Sequence, residues 1–269
     1  MRLSLFITIL FVTIFSTAIS QPSREITKTI PLKSDGRLII DTYKGTISVT
    51  THDKPQVEIY VKIESEDTDP QDAARDIEDT EIDIRGSGNE VRLHTNYNKV
   101  ERNNNFNIWD WISHPREMTN SLPLVHYTIK MPRTAELKIK DYKSDSRIEG
   151  LSSSLTLNTY KGTVEVIDFN GGADVETYKG DARVSFTKLT SDSHFETYKG
   201  KITVDIPKRA GFELRTDFEK RVNFSSTFDV ETHEHGRKHH YYDYSGKING
   251  GGPTLNFNST KGDIRLRAD

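Results

Sequence analysis

The chain has 269 residues, 33% of them hydrophobic and 29% charged, with a net charge of −3 and a mean hydropathy of −0.65. Counting the 17 glycines, the apolar share is about 39%, too low for a thick globular core; 12 Phe and 11 Tyr argue against disorder, and the balance of charge lacks the basic excess of a nucleic-acid binder. There is no cysteine, which excludes disulfides, thiolate metal sites, a cysteine nucleophile and a lipidated cysteine anchor.

Residues 1–20 are read as a secretory signal. Arg2 gives a positive start, Leu3 to Ile14 is almost wholly apolar, and Ala18 and Ser20 are the small residues of a cleavage site before Gln21. No later window has the apolar length of a membrane-spanning helix. The expected location is therefore exported: periplasmic, cell-surface or extracellular.

Residues 21–136 are expected to form an N-terminal β cap and a first rung. Strand runs cover Leu38 to Ile40, Ile47 to Val49 and Val57 to Ile63. Asp69 is placed to cap one short helix over Pro70 to Thr80. Glu81 to Ile84 and Val91 to Thr95 flank Gly86-Ser87-Gly88-Asn89, a hairpin turn signal. An insertion over 98–121 is polar and Asn-rich, yet holds Trp109 and Trp111. These two are candidates for a partner contact, set against the alternative that the segment folds back onto the body. Leu124 to Met131 is a further strand, ended by Pro132.

Residues 137–269 carry internal repeats. Thr159-Tyr160-Lys161-Gly162 recurs as Thr177-Tyr178-Lys179-Gly180 and Thr197-Tyr198-Lys199-Gly200. Asp141-Tyr142-Lys143-Ser144 precedes them, Ser259-Thr260-Lys261-Gly262 follows, Tyr244-Ser245-Gly246 is a degenerate copy, and Thr42-Tyr43-Lys44-Gly45 stands alone early. A fixed period near eighteen residues means stacked coils. Flanking residues alternate between apolar and polar, as in Val164, Val166 against Thr163, Glu165, the signature of half-buried strands. Each coil reads as strand, Lys-Gly corner, strand and turn, with glycine giving access to positive φ at the corner. Stacking coils about 4.8 Å apart would bury a thin continuous core. The expected fold is all-β: a single-stranded parallel β-solenoid, or β-helix, with right-handed winding favoured by the general hand of parallel crossovers.

By parity, if Leu157, Val175 and Phe195 point inward, Tyr160, Tyr178 and Tyr198 point outward and form, with Tyr142, a column of rings. Such a column either binds glycan rings or serves only to stabilise the stack. Lys161, Lys179 and Lys199 would form a parallel row, read as an anionic-ligand strip or as solvated charges. In a His-rich loop over 227–242, His233, His235, His239 and His240 are weak candidates for a metal, without the spacing of a known metalloprotease motif. No cofactor is expected. No hydrolase or phosphate-binding motif is present. The expected role is non-enzymatic and structural or adhesin-like, with a cell-surface glycan or an envelope protein as partner. The alternatives are a glycan-binding module using the tyrosines and a carbohydrate-active β-helix enzyme using face residues such as Lys179 or Arg183.

The sequence resembles the putative adhesin family of β-strand-repeat proteins, exported bacterial proteins of unknown function. The resemblance rests on the first rung Gly36-Arg37-Leu38-Ile39-Ile40-Asp41-Thr42-Tyr43-Lys44-Gly45, on Tyr127-Thr128-Ile129-Lys130-Met131-Pro132, and on the serial rungs that follow. It covers roughly residues 25–269. It implies a β-solenoid in the cell envelope and carries over no site residues. The regular Tyr-Lys before the glycine departs from the family pattern, as do the Trp and His insertions.

Overall fold

The computed structural model describes residues 22–97, 99–100, 122–219, 221–235 and 241–269. The signal-sequence reading of residues 1–20, the candidates Trp109 and Trp111, and His239 and His240 lie outside the described residues.

The protein is all-β with one short helix, and its strands pair mostly in parallel. Two ladders run side by side, joined by a Lys-Gly corner in five rungs and by Lys143-Ser144 in a sixth. The first ladder stacks β4 (Glu81–Asn96), β1 (Ser23–Asp41), β6 (Glu136–Asp141), β8 (Leu155–Thr159), β10 (Ala173–Thr177), the first half of β12 (Ser193–Ile206), the first half of β17 (Thr254–Ala268) and β13 (Phe212–Phe218). The second stacks β5 (Leu124–Pro132), β2 (Lys44–His52), β7 (Lys143–Glu149), β9 (Val164–Gly171), β11 (Ala182–Leu189), the second halves of β12 and β17, and β14 (Val222–Ser226).

The register turns the repeats into columns. Leu157 pairs with Ile139 and Val175, Val175 with Phe195, and Phe195 with Phe257; all five side chains are buried. On the facing ladder, Val166, Val184, Val204 and Leu266 form the matching column. Their side chains alternate with outward polar residues, which is why the strands read with period two. Each coil is too thin to bury these faces alone, so the core exists only as a stack.

Spatial order departs from chain order at both ends. The early copy Thr42-Tyr43-Lys44-Gly45 lies directly beside Asp141-Tyr142-Lys143-Ser144. The last strand, β17, inserts between β12 and the earlier pair β13 and β14. The sheet is also mixed. β3 (Gln56–Glu64) runs antiparallel between β1 and β5. β16 (Tyr241–Ile248) runs antiparallel to β13 and to β15 (Glu231–His235).

Two local expectations change. Tyr244-Ser245-Gly246 is not a rung: it lies in the antiparallel β16, and Ser245 faces Arg215 and Glu231. A three-residue match without the flanking alternation carries no register information. Much of the His-rich segment is β15 and β16 rather than loop. Its polar run gave no apolar alternation to mark a strand.

The helix α1 spans Pro70–Asp79, and the Asp69 carboxylate accepts hydrogen bonds from the Gln71 and Asp72 amides. That satisfies two of the free amides of the first turn. Ala73 and Ile77 seal its inner face.

Candidate functional site

The Thr-Tyr-Lys-Gly corner uses each of its four positions differently. The first position is buried and polar. Thr95, Thr42, Asp141, Thr159, Thr177, Thr197 and Ser259 occupy it in successive rungs, all nearly inaccessible. Thr42 and Thr95 share a hydrogen bond of 2.9 Å, and Thr95 meets the Tyr127 hydroxyl at 2.7 Å. Thr159 donates to Asp141 Oδ1 at 2.9 Å, and Thr177 and Thr197 are 3.0 Å apart. The same groups hold the corner backbone: the Gly162 amide donates to Thr159 Oγ1, and the Ser144 amide to Asp141 Oδ1. These contacts satisfy backbone donors where the ladder breaks.

Asp141 is the one carboxyl in this column. Burial pushes its pKa up to about 7, against the smaller opposing pull of the Ser144 amide and the Thr159 hydroxyl. Its Oδ2 meets no hydrogen-bonding group among the described residues.

The second position holds the rings. Tyr43, Tyr142, Tyr160, Tyr178 and Tyr198 form one continuous stack, with centroids 4.8, 4.8, 4.6 and 4.7 Å apart and planes within 14° of parallel. Tyr97 meets Tyr43 edge-on at 6.2 Å and closes that end. The stack is graded: Tyr43 and Tyr142 are buried, while Tyr178 and Tyr198 are 37% and 46% exposed. Both faces of Tyr142, Tyr160 and Tyr178 are covered by neighbouring rings, so they offer solvent only their rims. Thr260 takes the ring position in β17 and ends the stack.

The third position is lysine in six adjacent rungs. Lys44 pairs in register with Lys143, and Lys199 with Lys261. The amides of Lys161, Lys179 and Lys199 each donate to the carbonyl of the tyrosine one rung below. Lys161 Nζ lies 5.5 and 5.4 Å from the Tyr142 and Tyr160 ring centres, and Lys179 Nζ 5.9 and 5.3 Å from those of Tyr160 and Tyr178. These are cation–π distances. Lys44 is paired with Glu66.

The fourth position is glycine in five of the six rungs and Ser144 in the other, and at Gly162, Gly180 and Gly200 the reason is steric. A Cβ on Gly180 would lie 1.9 Å from the Gly162 carbonyl oxygen of the next rung. Close approach is what requires glycine at Gly180, while Gly45 and Gly262 also carry the positive φ expected from the sequence, at 137° and 139°. Gly180→Ala is expected to destabilise the fold by about 2–4 kcal/mol, since the backbone of two rungs must part; urea unfolding of the variant measures it.

On the second ladder, next to this corner, Asp205 is held by Arg267 at 2.7 Å and Arg183 at 2.9 Å. Burial raises its pKa, but the hydrogen bonds from Arg267 and Arg183 outweigh this and leave it below the ordinary carboxylate value. Arg183, Lys201, Arg265 and Arg267 line a hollow of about 210 Å³ there, together with Asp181.

The structure thus brings Tyr142, Tyr160, Tyr178 and Tyr198 into one stack with Lys161, Lys179 and Lys199 beside it. The buried Thr/Asp column and the arginine hollow were not singled out from sequence. A signal existed for the column: the residue before each stacked tyrosine is Thr or Asp, two positions after an inward apolar residue. Of the histidines, the backbones of His233 and His235 face Asp243 and Tyr241 across β15 and β16. Among the described residues, no group of three or more metal-ligating side chains is assembled, and no helix is long and apolar enough to cross a membrane.

A stack of in-register parallel rungs joined by a repeated aromatic corner defines a solenoid-like repeat protein. The chain belongs to the Toastrack DUF4097 family, whose profile matches residues 5–267, in line with the resemblance carried by the repeats. Similar solved structures include a putative cell adhesion protein from Clostridium sporogenes, at 12% identity and a TM-score of 0.47, covering 92% of this chain and 100% of that one. A putative adhesin from Bacteroides fragilis aligns at 15% identity and a TM-score of 0.36, covering 94% and 100%. No curated protein matches the chain.

Proposed function

We propose that the protein is an exported, non-enzymatic scaffold of the cell envelope with an adhesin-like role, displaying one rigid ridge of repeated groups. The observation that carries this reading is the ring stack, whose spacing stays between 4.6 and 4.8 Å over five rungs. Interlocked rings and hydrogen-bonded rungs hold the outward side chains at fixed intervals, which suits attachment to a repetitive surface. In this reading the coils wind as a right-handed β-helix, closed at the start by the N-terminal β segment, and residues 1–20 direct export.

Fractionation of cells producing the full chain is expected to place it outside the cytoplasm, shortened by the signal segment. Cells lacking it should lose attachment to a surface that wild-type cells hold. Cytoplasmic retention of the full-length chain, or unchanged attachment, contradicts the reading. A second reading is a glycan-binding module using the exposed rims of Tyr178 and Tyr198. Binding of a neutral glycan that Tyr198→Ser abolishes would favour it.

A further inference from the structure

We propose that the lysine row and the basic hollow beside it form one binding strip for a linear acidic polysaccharide, an inference that rests on the scaffold reading and names its ligand class. The row contains Lys44, Lys143, Lys161, Lys179, Lys199 and Lys261 in adjacent rungs. All but Lys44 are exposed. Among the described residues, no carboxylate lies within ion-pair distance of Lys143, Lys161, Lys179, Lys199 or Lys261.

The fold does not need these charges. Glycine sets the close approach of the rungs, the buried hydroxyls hold the corner backbone, and the tyrosines fill the adjoining column. Like charges facing one another on neighbouring strands are destabilising, and ring contacts at Lys161 and Lys179 offset this only in part. A row that works against folding gains its use when a matching row of anions neutralises it.

The row also continues sideways. Two residues past Lys199 and four past Lys261 come Lys201 and Arg265; Lys201 lies in register with Asp263 and its amide donates to Asp181, and neither side-chain cation is in a salt bridge among the described residues. With Arg183 and Arg267 they line the hollow of about 210 Å³. Asp205, outside the hollow, is already engaged by both arginines, and the one carboxylate that lines the hollow, Asp181, accepts a hydrogen bond from the Lys201 amide. The strip is therefore densest in positive charge at its Lys199–Lys261 end.

The geometry selects the class of anion. One cation per rung, at the 4.6–4.8 Å spacing of the rings, makes a line rather than a patch. A polymer with one carboxylate or sulfate on every sugar presents anions as a line with a similar step. Duplex nucleic acid presents one phosphate per about 3.4 Å of axis on each strand, wound around the helix, out of step with a straight row. Single-stranded nucleic acid is held by bases stacked on open aromatic faces, and here those faces are taken by neighbouring rings. The exposed rims of Tyr178 and Tyr198 run beside the lysines, where phenols can bond sugar hydroxyls.

The test measures binding of the purified protein to polygalacturonate, with neutral dextran, phosphatidylserine vesicles and single-stranded DNA as comparisons. Binding to polygalacturonate alone is expected, weakening as salt is raised. The variant K161Q/K179Q/K199Q should lose about tenfold or more in affinity with a melting temperature no lower than wild type. K201Q/R265Q should lose affinity as well, and K28Q/K33Q/K138Q, on exposed lysines away from the ridge, should keep it. No binding to polygalacturonate, equal binding to dextran, full affinity in the triple ridge variant, or tighter binding to vesicles or DNA would each overturn the proposal. Failure here leaves the scaffold reading standing, because that reading is tested by export and attachment in cells.

Discussion

Tyr142→Ala is expected to cost about 3–5 kcal/mol of stability, the range for truncating a large buried aromatic, whereas Tyr198→Ala should cost less than about 1.5 kcal/mol. Both residues occupy the same position of the repeat, so composition alone predicts equal effects. The structure separates them. Tyr142 is 4% exposed and lies between Tyr43 and Tyr160, each 4.8 Å away. Its removal opens a gap inside the stack and abolishes two ring pairs. Tyr198 is 46% exposed and has one stacked neighbour, Tyr178. Tyr142→Leu separates the contributions: it restores apolar volume without stacking, and should recover more than half of the loss. Urea unfolding of the three variants measures this. Equal costs at positions 142 and 198 would mean that the rings do not form one graded column.

Asp141→Thr is expected to stabilise the protein near neutral pH and to flatten its pH dependence. The carboxyl is buried among hydroxyls, and burial lifts its pKa from 3.8 to about 7. The native state therefore holds this proton more tightly than the unfolded chain does. Its contribution to stability is fully present below the unfolded value near 3.8, and is lost as pH rises through about 7. The full loss amounts to as much as about 4 kcal/mol. Threonine is what the same column carries at Thr42, Thr159, Thr177 and Thr197, and its hydroxyl can accept from the Ser144 amide as Thr159 accepts from Gly162. Wild type and variant should thus differ little at pH 4 and most at pH 8. Asp205 acts with the opposite sign. Its lowered pKa gives stability present above the ordinary carboxylate value and lost as the solution becomes more acid, in both proteins alike. A difference between wild type and variant that does not grow from pH 4 to pH 8 would contradict the assignment.

The columns were legible in the sequence because the fold is periodic along the chain: a fixed interval between Tyr142, Tyr160, Tyr178 and Tyr198 becomes a fixed distance in space. The family resemblance was legible for the same reason. The helix over 70–79 was legible from the Asp69-Pro70 start. The insertion of β17 between β12 and β13 was not legible. Pairing between Lys199 and Lys261 spans a long excursion, and nothing local to either strand specifies it. The pH sensitivity of Asp141 was hidden for a related reason. An aspartate in a threonine column looks like a surface variant until the column is known to be buried. The positive φ expected of the corner glycines holds at Gly45 and Gly262, whereas at Gly162, Gly180 and Gly200 the close carbonyl of the adjacent rung was not legible, because sequence shows a missing Cβ and not the atom that would meet it.

Equivalent residues of successive coils lie side by side in register. Because the chain has no cysteine, a disulfide between engineered cysteines tests this register without background. Asn158 and Glu176 are direct partners on β8 and β10, and partners on neighbouring strands lie within the Cα separation a disulfide spans. Oxidation of the variant N158C/E176C should close the bond in the folded monomer, leaving no free thiols on non-reducing analysis. Two thiols still free after oxidation of the folded protein would contradict the stacked, in-register architecture.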